Sequence, residues 1–336
     1  MRDKLKNIPY WMYDLLSVVS AIITIITAIV AIFNVTVKVE ELEDGLYQID
    51  CNNVLVCLCI VMLCCLLVCL VKVKKYGSIL RNIREGFAFN YYMFLHDFRN
   101  AYFEMLRNHK NNMGQNESER LETLTKDTKT FLEGALDYLC NILQSNTGKK
   151  ISACIKLIEN TGNVTNIDKD KATVITFCRS KSTDKNRKSN DENMNQSIYI
   201  KDNTVLYDIL DENSTNTNSY FYQTDLLQFD KDLKKIGKNY KNTTANFEKY
   251  YRGTIVVPIR VSKKRLHYTK EKQGYDIIGF LCVDSPSVNA FRNSNVDRDN
   301  YSNIVKSFAA EMYIILNKYN FYIEKIIGGK FNAENV

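Results

Sequence analysis

Cysteine and histidine are the side chains best suited to metal binding or nucleophilic catalysis, and this chain has ten cysteines and three histidines in 336 residues. Six cysteines fall in or beside one apolar run, namely Cys51, Cys57, Cys59, Cys64, Cys65 and Cys69. No CxxC pair is followed by a second pair or by spaced histidines, so a zinc or haem site is not expected. We therefore predict no metal and no cofactor.

The remaining cysteines are scattered through hydrophobic patterns, at Cys140, Cys154, Cys178 and Cys282. Such positions are typical of buried thiols in a reducing compartment rather than of a disulfide framework. A phosphate-binding GxxxxGK[ST] loop is absent from the sequence, and no nucleophile, base and orienting group occur as a recognisable set. We therefore predict no catalytic residues and no enzyme activity.

Two long uncharged runs occupy residues 15–37 and 51–71. About 20 apolar residues in a helix cross the hydrocarbon core of a bilayer. The sequence therefore predicts a transmembrane hairpin in residues 1–75, with helices at about 13–37 and 51–72. The runs are too long for the apolar core of a signal peptide.

Charge on either side of the two runs predicts their orientation. Cations precede the first run and follow the second, at Arg2, Lys4, Lys6, Lys72, Lys74, Lys75, Arg81 and Arg84, whereas residues 38–50 hold one Lys and five acidic residues. By the positive-inside rule both ends face the cytoplasm. We expect a multi-pass protein of the cell inner membrane, with its C-terminal domain in the cytoplasm.

A helical connector is predicted for residues 76–116. Apolar side chains recur there every three or four positions, at Ile79, Ile83, Phe87, Tyr91, Phe94, Phe98, Tyr102 and Met105. This face could pack against a second copy, against the following domain or against the membrane surface. The sequence NHKNNMGQ (108–115) predicts a break, and a second helix is expected from 117 to 144, with Asn116 or Ser118 as its cap and Gly148 as its stop.

After Gly148 the apolar period changes to that of strands. We predict strands at 151–158, 172–178, 197–200, 253–261 and 276–284, a short helix at 204–210, and a final helix at about 299–327. Pro258 should lie at a sheet edge or bulge, and Gly279 should allow a close backbone approach. This order of elements predicts an α+β fold with an antiparallel sheet flanked by helices.

The sequences YRGTIVVPI (251–259) and IGFLCVDS (278–285), followed by Phe291, Asp297 and Asp299, resemble the GAF domain family. The resemblance covers residues 117–327, after which a tail of 328–336 remains. It implies a small-molecule pocket between the sheet and its distal short helices and loops. One branch of the family reduces methionine sulfoxide with a set of cysteines, but Cys154, Cys178 and Cys282 do not match that arrangement.

The implied pocket would be lined by aromatic, cationic and hydroxyl side chains. A nucleotide-like ligand needs an aromatic face for its base and cationic or N–H groups for phosphate. The candidate ligand-binding residues are Phe177, Arg179, Tyr199, Thr204, Tyr207, Asp208, Tyr222 and Thr254. Taken singly, each is also compatible with a core or surface position.

The net charge of +7 does not by itself indicate nucleic-acid binding, because much of it flanks the apolar runs or lies in polar loops. We expect no nucleic-acid partner. The loops at 179–193, 231–249 and 260–272 are rich in Lys, Asn and Ser and are interpreted as solvated insertions. Their positive balance could instead attract an anionic lipid or ligand.

No kinase, cyclase, phosphodiesterase or DNA-binding segment follows residue 327 in the sequence given. We expect a membrane-anchored cytoplasmic sensor that binds a small molecule, as a homodimer, and relays the signal to the transmembrane helices or to a separate signalling protein. Two alternatives stay open. The domain could be a ligand-free, membrane-tethered dimerisation scaffold, or ligand-driven assembly could disturb the bilayer, as in prokaryotic defence effectors.

Overall fold

The computed structural model describes residues 39–41, 47–49, 52–111, 116–159, 167–187, 197–210, 220–242, 244, 246–262 and 275–327. The chain divides into two compact units, Met1–Arg84 and Glu85–Val336. The predicted helix at 13–37 and the tail at 328–336 lie outside the described residues. Of the predicted helix at 51–72, position 51 also lies outside them.

The first unit contains a short antiparallel strand pair, β1 (Val39–Glu41) and β2 (Tyr47–Ile49), in which Val39 pairs with Ile49. The pair lies within the predicted loop between the two apolar runs. Helix α1 (Asn52–Asn111) then begins, and it belongs in part to each unit. Across the described part of the chain, no helix is both long enough and apolar enough to qualify as a membrane span. The transmembrane hairpin therefore stays a prediction.

The second unit is an α+β domain built on a six-stranded antiparallel sheet. Its helices are α2 (Glu117–Thr147), α3 (Thr204–Leu210), α4 (Leu226–Lys235) and α5 (Asn295–Ile327). Its strands are β3 (Ser152–Glu159), β4 (Thr173–Arg179), β5 (Ile198–Tyr199), β6 (Phe221–Gln223), β7 (Gly253–Ser262) and β8 (Tyr275–Ser285). Their order across the sheet is β5-β4-β3-β8-β7-β6. The predicted α+β class, with an antiparallel sheet flanked by helices, is confirmed.

One face of the sheet, which we call the helix face, packs against the long helices. Its core includes Leu136 of α2, Ile155 and Leu281 of the central strands, and Phe308 and Met312 of α5, each with no exposed surface. Side chains alternate between the two faces along a strand, so the neighbours of Ile155 and Leu281 point the other way.

The opposite face, which we call the loop face, is covered by α3 and by segments of irregular structure. Its smaller cluster includes Val174, Val205, Leu206, Val256 and Phe280. Cys154 and Cys282 belong to the same cluster. The two clusters are thus separated by the sheet itself.

The aromatic side of α1 packs on the helix face of the domain. Phe94 is fully buried, and its ring stacks on that of Phe308 with the centroids 4.3 Å apart. Phe87, Tyr91, Phe98 and Tyr102 are partly buried against the same cluster. The apolar period in this segment therefore reflects packing against the domain, one of the three alternatives open from the sequence.

Several local predictions are confirmed. The Asn116 side chain accepts a hydrogen bond from the Ser118 N–H at the start of α2, and Gly148 ends that helix with a left-handed φ of 64°. A Cβ at Gly279 would collide with the backbone oxygen of Lys156 on β3. Strand β6 pairs with β7 only as far as Val256, so Pro258 lies past the end of that ladder and next to a bulge at Ile259/Arg260.

Other local predictions need correction. Strand β6 and helix α4 were not predicted, because β6 has three residues and α4 buries only Leu226. The interpretation of 179–193 as a solvated insertion is wrong for Ser180, Thr183 and Arg187, which are buried. Arg187 is buried because it pairs with a carboxylate far away in the sequence.

Candidate functional site

A small cavity of about 40 Å³ lies on the loop face of the sheet. Its apolar and thiol lining comes from the sheet and α3, through Cys154, Val205, Leu206, Val256 and Cys282. Its polar lining comprises Lys156, Arg187, Asn203, Tyr240, Asn242, Thr244, Tyr251, Thr254 and Asp284. We call this cavity the loop-face pocket.

An ion pair is buried in the wall of this pocket. Arg187 donates from Nη1 and Nη2 to Oδ2 of Asp284, at 3.3 and 3.4 Å. The two side chains are only 9% and 7% exposed. Thr254 donates from Oγ1 to the other carboxylate oxygen at 2.7 Å, so both oxygens of Asp284 have partners.

Two tyrosines complete the polar wall. The guanidinium of Arg187 lies over the ring of Tyr251, 4.7 Å from its centroid, and Tyr251 and Asn242 exchange hydrogen bonds of 2.9 and 3.1 Å. Burial raises the pKa of Tyr251 to about 12 and also raises the pKa of Tyr240. Both rings are therefore neutral aromatic surfaces at physiological pH.

A pair of thiols forms part of the pocket floor. Cys154 of β3 and Cys282 of β8 are directly opposite each other in the antiparallel register. The Cys154 thiol accepts a hydrogen bond from Cys282, which lowers the pKa of Cys154 despite its burial. The same contact, together with burial, raises the pKa of Cys282. The negative charge left by loss of one proton from the pair opposes loss of the second.

A larger groove, of about 640 Å³, lies between α1 and α2 and is lined by residues such as Asp97, Glu104, Arg120 and Asp127. Some of these acids already have hydrogen-bond donors within the domain. Asp97 accepts from Tyr138 Oη at 2.7 Å, and Asp127 accepts from Asn108 Nδ2 at 3.4 Å. The loop-face pocket is the better candidate, because burying an ion pair is costly for stability and is more easily explained by a site.

One of the predicted ligand-binding residues, Thr254, lines the loop-face pocket. Arg179 pairs with Cys154 across β4 and β3 and so shares the same face of the sheet. Phe177 and Tyr222 instead belong to the helix-face cluster, where Tyr222 donates from Oη to the Arg292 backbone oxygen at 2.6 Å. The structure therefore does not bring these four residues together.

The other four predicted residues lie near α3. Tyr199 is 49% exposed, and Asp208 is also exposed. Thr204 accepts from the Lys241 N–H at 2.8 Å, which ties the start of α3 to the segment before β7. Tyr207 packs against the loop-face cluster with Lys169 4.5 Å above its ring. Their role in binding stays a prediction.

The residues that dominate the pocket were missed from sequence. Arg187 has no motif around it, and it meets Asp284 across 97 positions of the chain. In the sequence, Asp284 is one residue of the strand IGFLCVDS and Tyr251 one residue of YRGTIVVPI, and neither is marked as a site residue. A buried acid at a strand end was the available signal, but its partner could not be inferred from spacing.

Comparisons with known proteins find similarity among solved structures. No protein-family model matches the chain, and no curated protein matches it. Among solved structures, it is similar to the GAF domain from an Acinetobacter phosphoenolpyruvate-protein phosphotransferase. That match has 10% sequence identity and a TM-score of 0.33, and it covers 60% of this chain and 92% of the other.

Proposed function

We propose that the protein is a membrane-anchored sensor that binds a small molecule in the loop-face pocket. The observation that carries this proposal is the buried Arg187–Asp284 pair beside the ring of Tyr251. A stable core does not need a buried ion pair, and replacing such a pair by apolar residues is often neutral or stabilising. A cation next to an aromatic face is instead suited to binding a planar anion.

Ligand binding at this pocket requires the pocket to open. The present volume is about 40 Å³, whereas pockets for drug-sized ligands hold roughly 300–1,000 Å³. An anionic group that replaces the Asp284 carboxylate at Arg187 would free the wall to move. Such a ligand would select an open arrangement, because only that arrangement offers it the guanidinium.

A nucleotide-like molecule is one ligand that fits the chemistry of the lining. The neutral rings of Tyr240 and Tyr251 offer faces for a base, while Arg187 and Lys156 offer cations for a phosphate group. The GAF resemblance of 251–259 and 278–285 supports a ligand on this side of the sheet. Neither argument requires a catalytic group, and we propose no enzyme activity.

Membrane anchoring is the second part of the proposal. It is supported by the uncharged runs at 15–37 and 51–71 and by their basic flanks. It is also supported by large apolar side chains that are exposed in the first unit, at Met62, Leu66, Leu67, Leu70, Val71 and Val73. Both chain ends and the sensor domain would then lie in the cytoplasm, at the inner membrane.

The signal would leave through α1, in a homodimer or through a separate signalling protein. On α1, Phe89, Tyr92 and Phe103 are 62%, 64% and 57% exposed, on the side away from the buried Phe94. Exposed aromatic side chains in one stripe favour contact with a second protein surface. Thus α1 would pack on the domain with one side and on a partner with the other.

A second candidate is a ligand-free dimerisation scaffold. The small size of the loop-face pocket favours it, because Arg187 and Asp284 already satisfy each other within it. In that case the pocket residues would only stabilise the domain, and the stripe on α1 would be the functional surface.

A thermal-shift screen of the full chain in detergent tests the sensor proposal. The panel should contain nucleotides, inorganic phosphate and small carboxylates. A ligand at one hundred times its Kd stabilises the folded state by about 2.7 kcal/mol, so a sensor should show a saturable rise in Tm. Arg187→Met should abolish the shift, and Arg99→Met, which removes an exposed cation on α1, should retain it.

The scaffold alternative predicts a different result from the same screen. No member of the panel would raise Tm in a saturable way, while dilution or replacement of Phe89 and Tyr92 would lower it. A saturable shift that survives Arg187→Met would instead place the ligand elsewhere and contradict the proposed site.

A further inference from the structure

The two thiols of the loop-face pocket have a feature that ligand binding does not require. Cys154 and Cys282 are direct cross-strand partners, 1% and 6% exposed, and both line the cavity. Side chains of directly opposed residues in an antiparallel pair point to the same face of a sheet. The two sulfur atoms therefore meet at the pocket floor.

The cross-strand register of this pair is compatible with a disulfide. Opposed residues in an antiparallel ladder have Cα atoms about 4.5 or 5.5 Å apart, depending on the hydrogen-bond pattern. Disulfides join Cα atoms about 4.4 to 6.8 Å apart. Either type of pair falls in that Cα range. The Cβ atoms, about 4.5–5.5 Å apart in opposed pairs, would approach to the roughly 3.5–4.5 Å of a disulfide.

The cavity beside the thiols is large enough for a small oxidant. A cavity needs about 10–15 Å³ to hold one water molecule. The loop-face pocket, at about 40 Å³, therefore has room for a molecule of the size of hydrogen peroxide. Cations lie close to the thiol that would react first. Lys156 lines the same cavity, and Arg179 is paired with Cys154 across the neighbouring strand. Positive charge next to a thiol favours its reactive thiolate.

We propose that Cys154 and Cys282 are a peroxide-oxidisable thiol pair that forms a reversible disulfide across β3 and β8. The Cys154 thiolate attacks one oxygen of a hydroperoxide, the O–O bond breaks, and the alcohol or water leaves with a proton. The sulfenic acid on Cys154 is then attacked by Cys282, and water leaves as the S–S bond forms. Two thiols lose two electrons in total, and the peroxide gains them.

Two other buried thiols of the domain provide an internal contrast. Cys178 is opposite Ile155 and Cys140 lies on α2, and both belong to the helix-face cluster. Burial raises the pKa of Cys140 to about 11 and raises that of Cys178 as well. Neither faces the cavity, so neither should react early. This inference does not depend on the sensor proposal, because it concerns the thiols alone.

Peptide mapping of the full chain in detergent tests the inference. The protein is treated with hydrogen peroxide, its free thiols are alkylated, and it is digested without reductant. We expect loss of the alkylatable thiols of Cys154 and Cys282 and a peptide pair linked through them, reversed by dithiothreitol. Cys140 and Cys178 should stay alkylatable, and Cys178→Ala should leave the linked pair unchanged.

A single-thiol variant separates the two steps. Cys282→Ala should lose the linked pair but should give a sulfenic acid on Cys154 that dimedone traps, with Tm measured to confirm folding. The peptide mapping of the wild-type protein tests the inference even if the variant fails to fold. If Cys154 and Cys282 stay reduced in peroxide-treated folded protein, or if either one bridges to another cysteine, the inference is overturned.

Discussion

The two faces of the central sheet are built from the same strands but differ in what they bury. The helix face is apolar throughout its centre, with Leu136, Ile155, Leu281, Phe308 and Met312 fully buried. The loop face buries an ion pair, Tyr251 and a thiol pair beneath short elements, and Tyr240 is half-buried there. We infer from this difference that the helix face supplies most of the stability, and the loop face is where we propose the binding site.

The free energy of burying apolar and charged side chains explains this division. Apolar burial stabilises a fold by roughly 25 cal/mol per Å², whereas buried charges stabilise only when each has its partner. Arg187, Asp284 and Thr254 satisfy one another, so the loop face tolerates its polar groups without depending on them. Substitutions on the two faces should therefore have different consequences.

Phe308→Ala should have the largest effect. It removes a fully buried ring that stacks on Phe94, and such truncations cost about 3–5 kcal/mol of unfolding free energy. Denaturant unfolding followed by circular dichroism measures the loss. The loop-face pocket should keep its properties in the protein that remains folded, and a changed thiol pairing of Cys154 and Cys282 there would contradict the separation of the faces.

Arg187→Met should come next, at about 3 kcal/mol, because it leaves the Asp284 carboxylate buried without its cation. Thr254 still donates to that carboxylate, which limits the loss. The double variant Arg187→Met/Asp284→Leu should recover much of the stability, since no charge is left unpaired. A double variant less stable than Arg187→Met would mean that the pair itself is a main stabiliser of the domain.

Thr254→Val should have a smaller effect, about 1–3 kcal/mol, because Asp284 loses the 2.7 Å hydrogen bond of a buried hydroxyl. The matched control is Thr173→Val, also on a strand, which removes a 3.2 Å bond to the partly buried Glu159. We expect the control to lose less. Equal losses in the two variants would show that the loop-face pocket is not special in its polar packing.

The smallest effect is expected for Tyr251→Phe, and part of it is seen in the unfolding free energy at alkaline pH. The pKa of Tyr251 is raised from 10.0 to about 12 by burial, so its contribution to stability is complete below pH 10 and is lost as pH rises toward 12. Tyr251→Phe should cost about 1 kcal/mol at pH 7 through its bonds with Asn242. The variant should also show a shallower fall of unfolding free energy above pH 10, and an unchanged slope would contradict burial of this hydroxyl.

Much of the fold could be predicted from the sequence because its signals are local. β-branched runs gave the long strands, TVLYDIL gave α3, and Asn116 and Gly148 marked the ends of α2. Gly279 also correctly predicted a close approach of two backbones, here to Lys156 of β3. Strand β6 was missed because three residues carry too little pattern, and α4 because its sequence LLQFDKDLKK is mostly polar.

The candidate site was less predictable because its parts meet only through the fold. Arg187 lies in a Lys- and Asn-rich stretch that is typical of solvent, and only its distant partner Asp284 explains its burial. Phe177 is the opposite case, a residue predicted to bind the ligand that lies outside the pocket. It lies at a bulge of β4 and packs on Tyr319 at 5.3 Å, which places it on the helix face although its strand also borders the loop face.

The central claim is that ligands and small reagents act on the loop face and not on the helix face. It is tested most directly by the alkylation rates of four buried thiols in the native full chain. We predict that Cys154 and Cys282 react with iodoacetamide faster than Cys140 and Cys178, and that a molecule which raises Tm slows only the first two. Equal rates for all four, or earlier reaction of Cys140 or Cys178, would contradict the account.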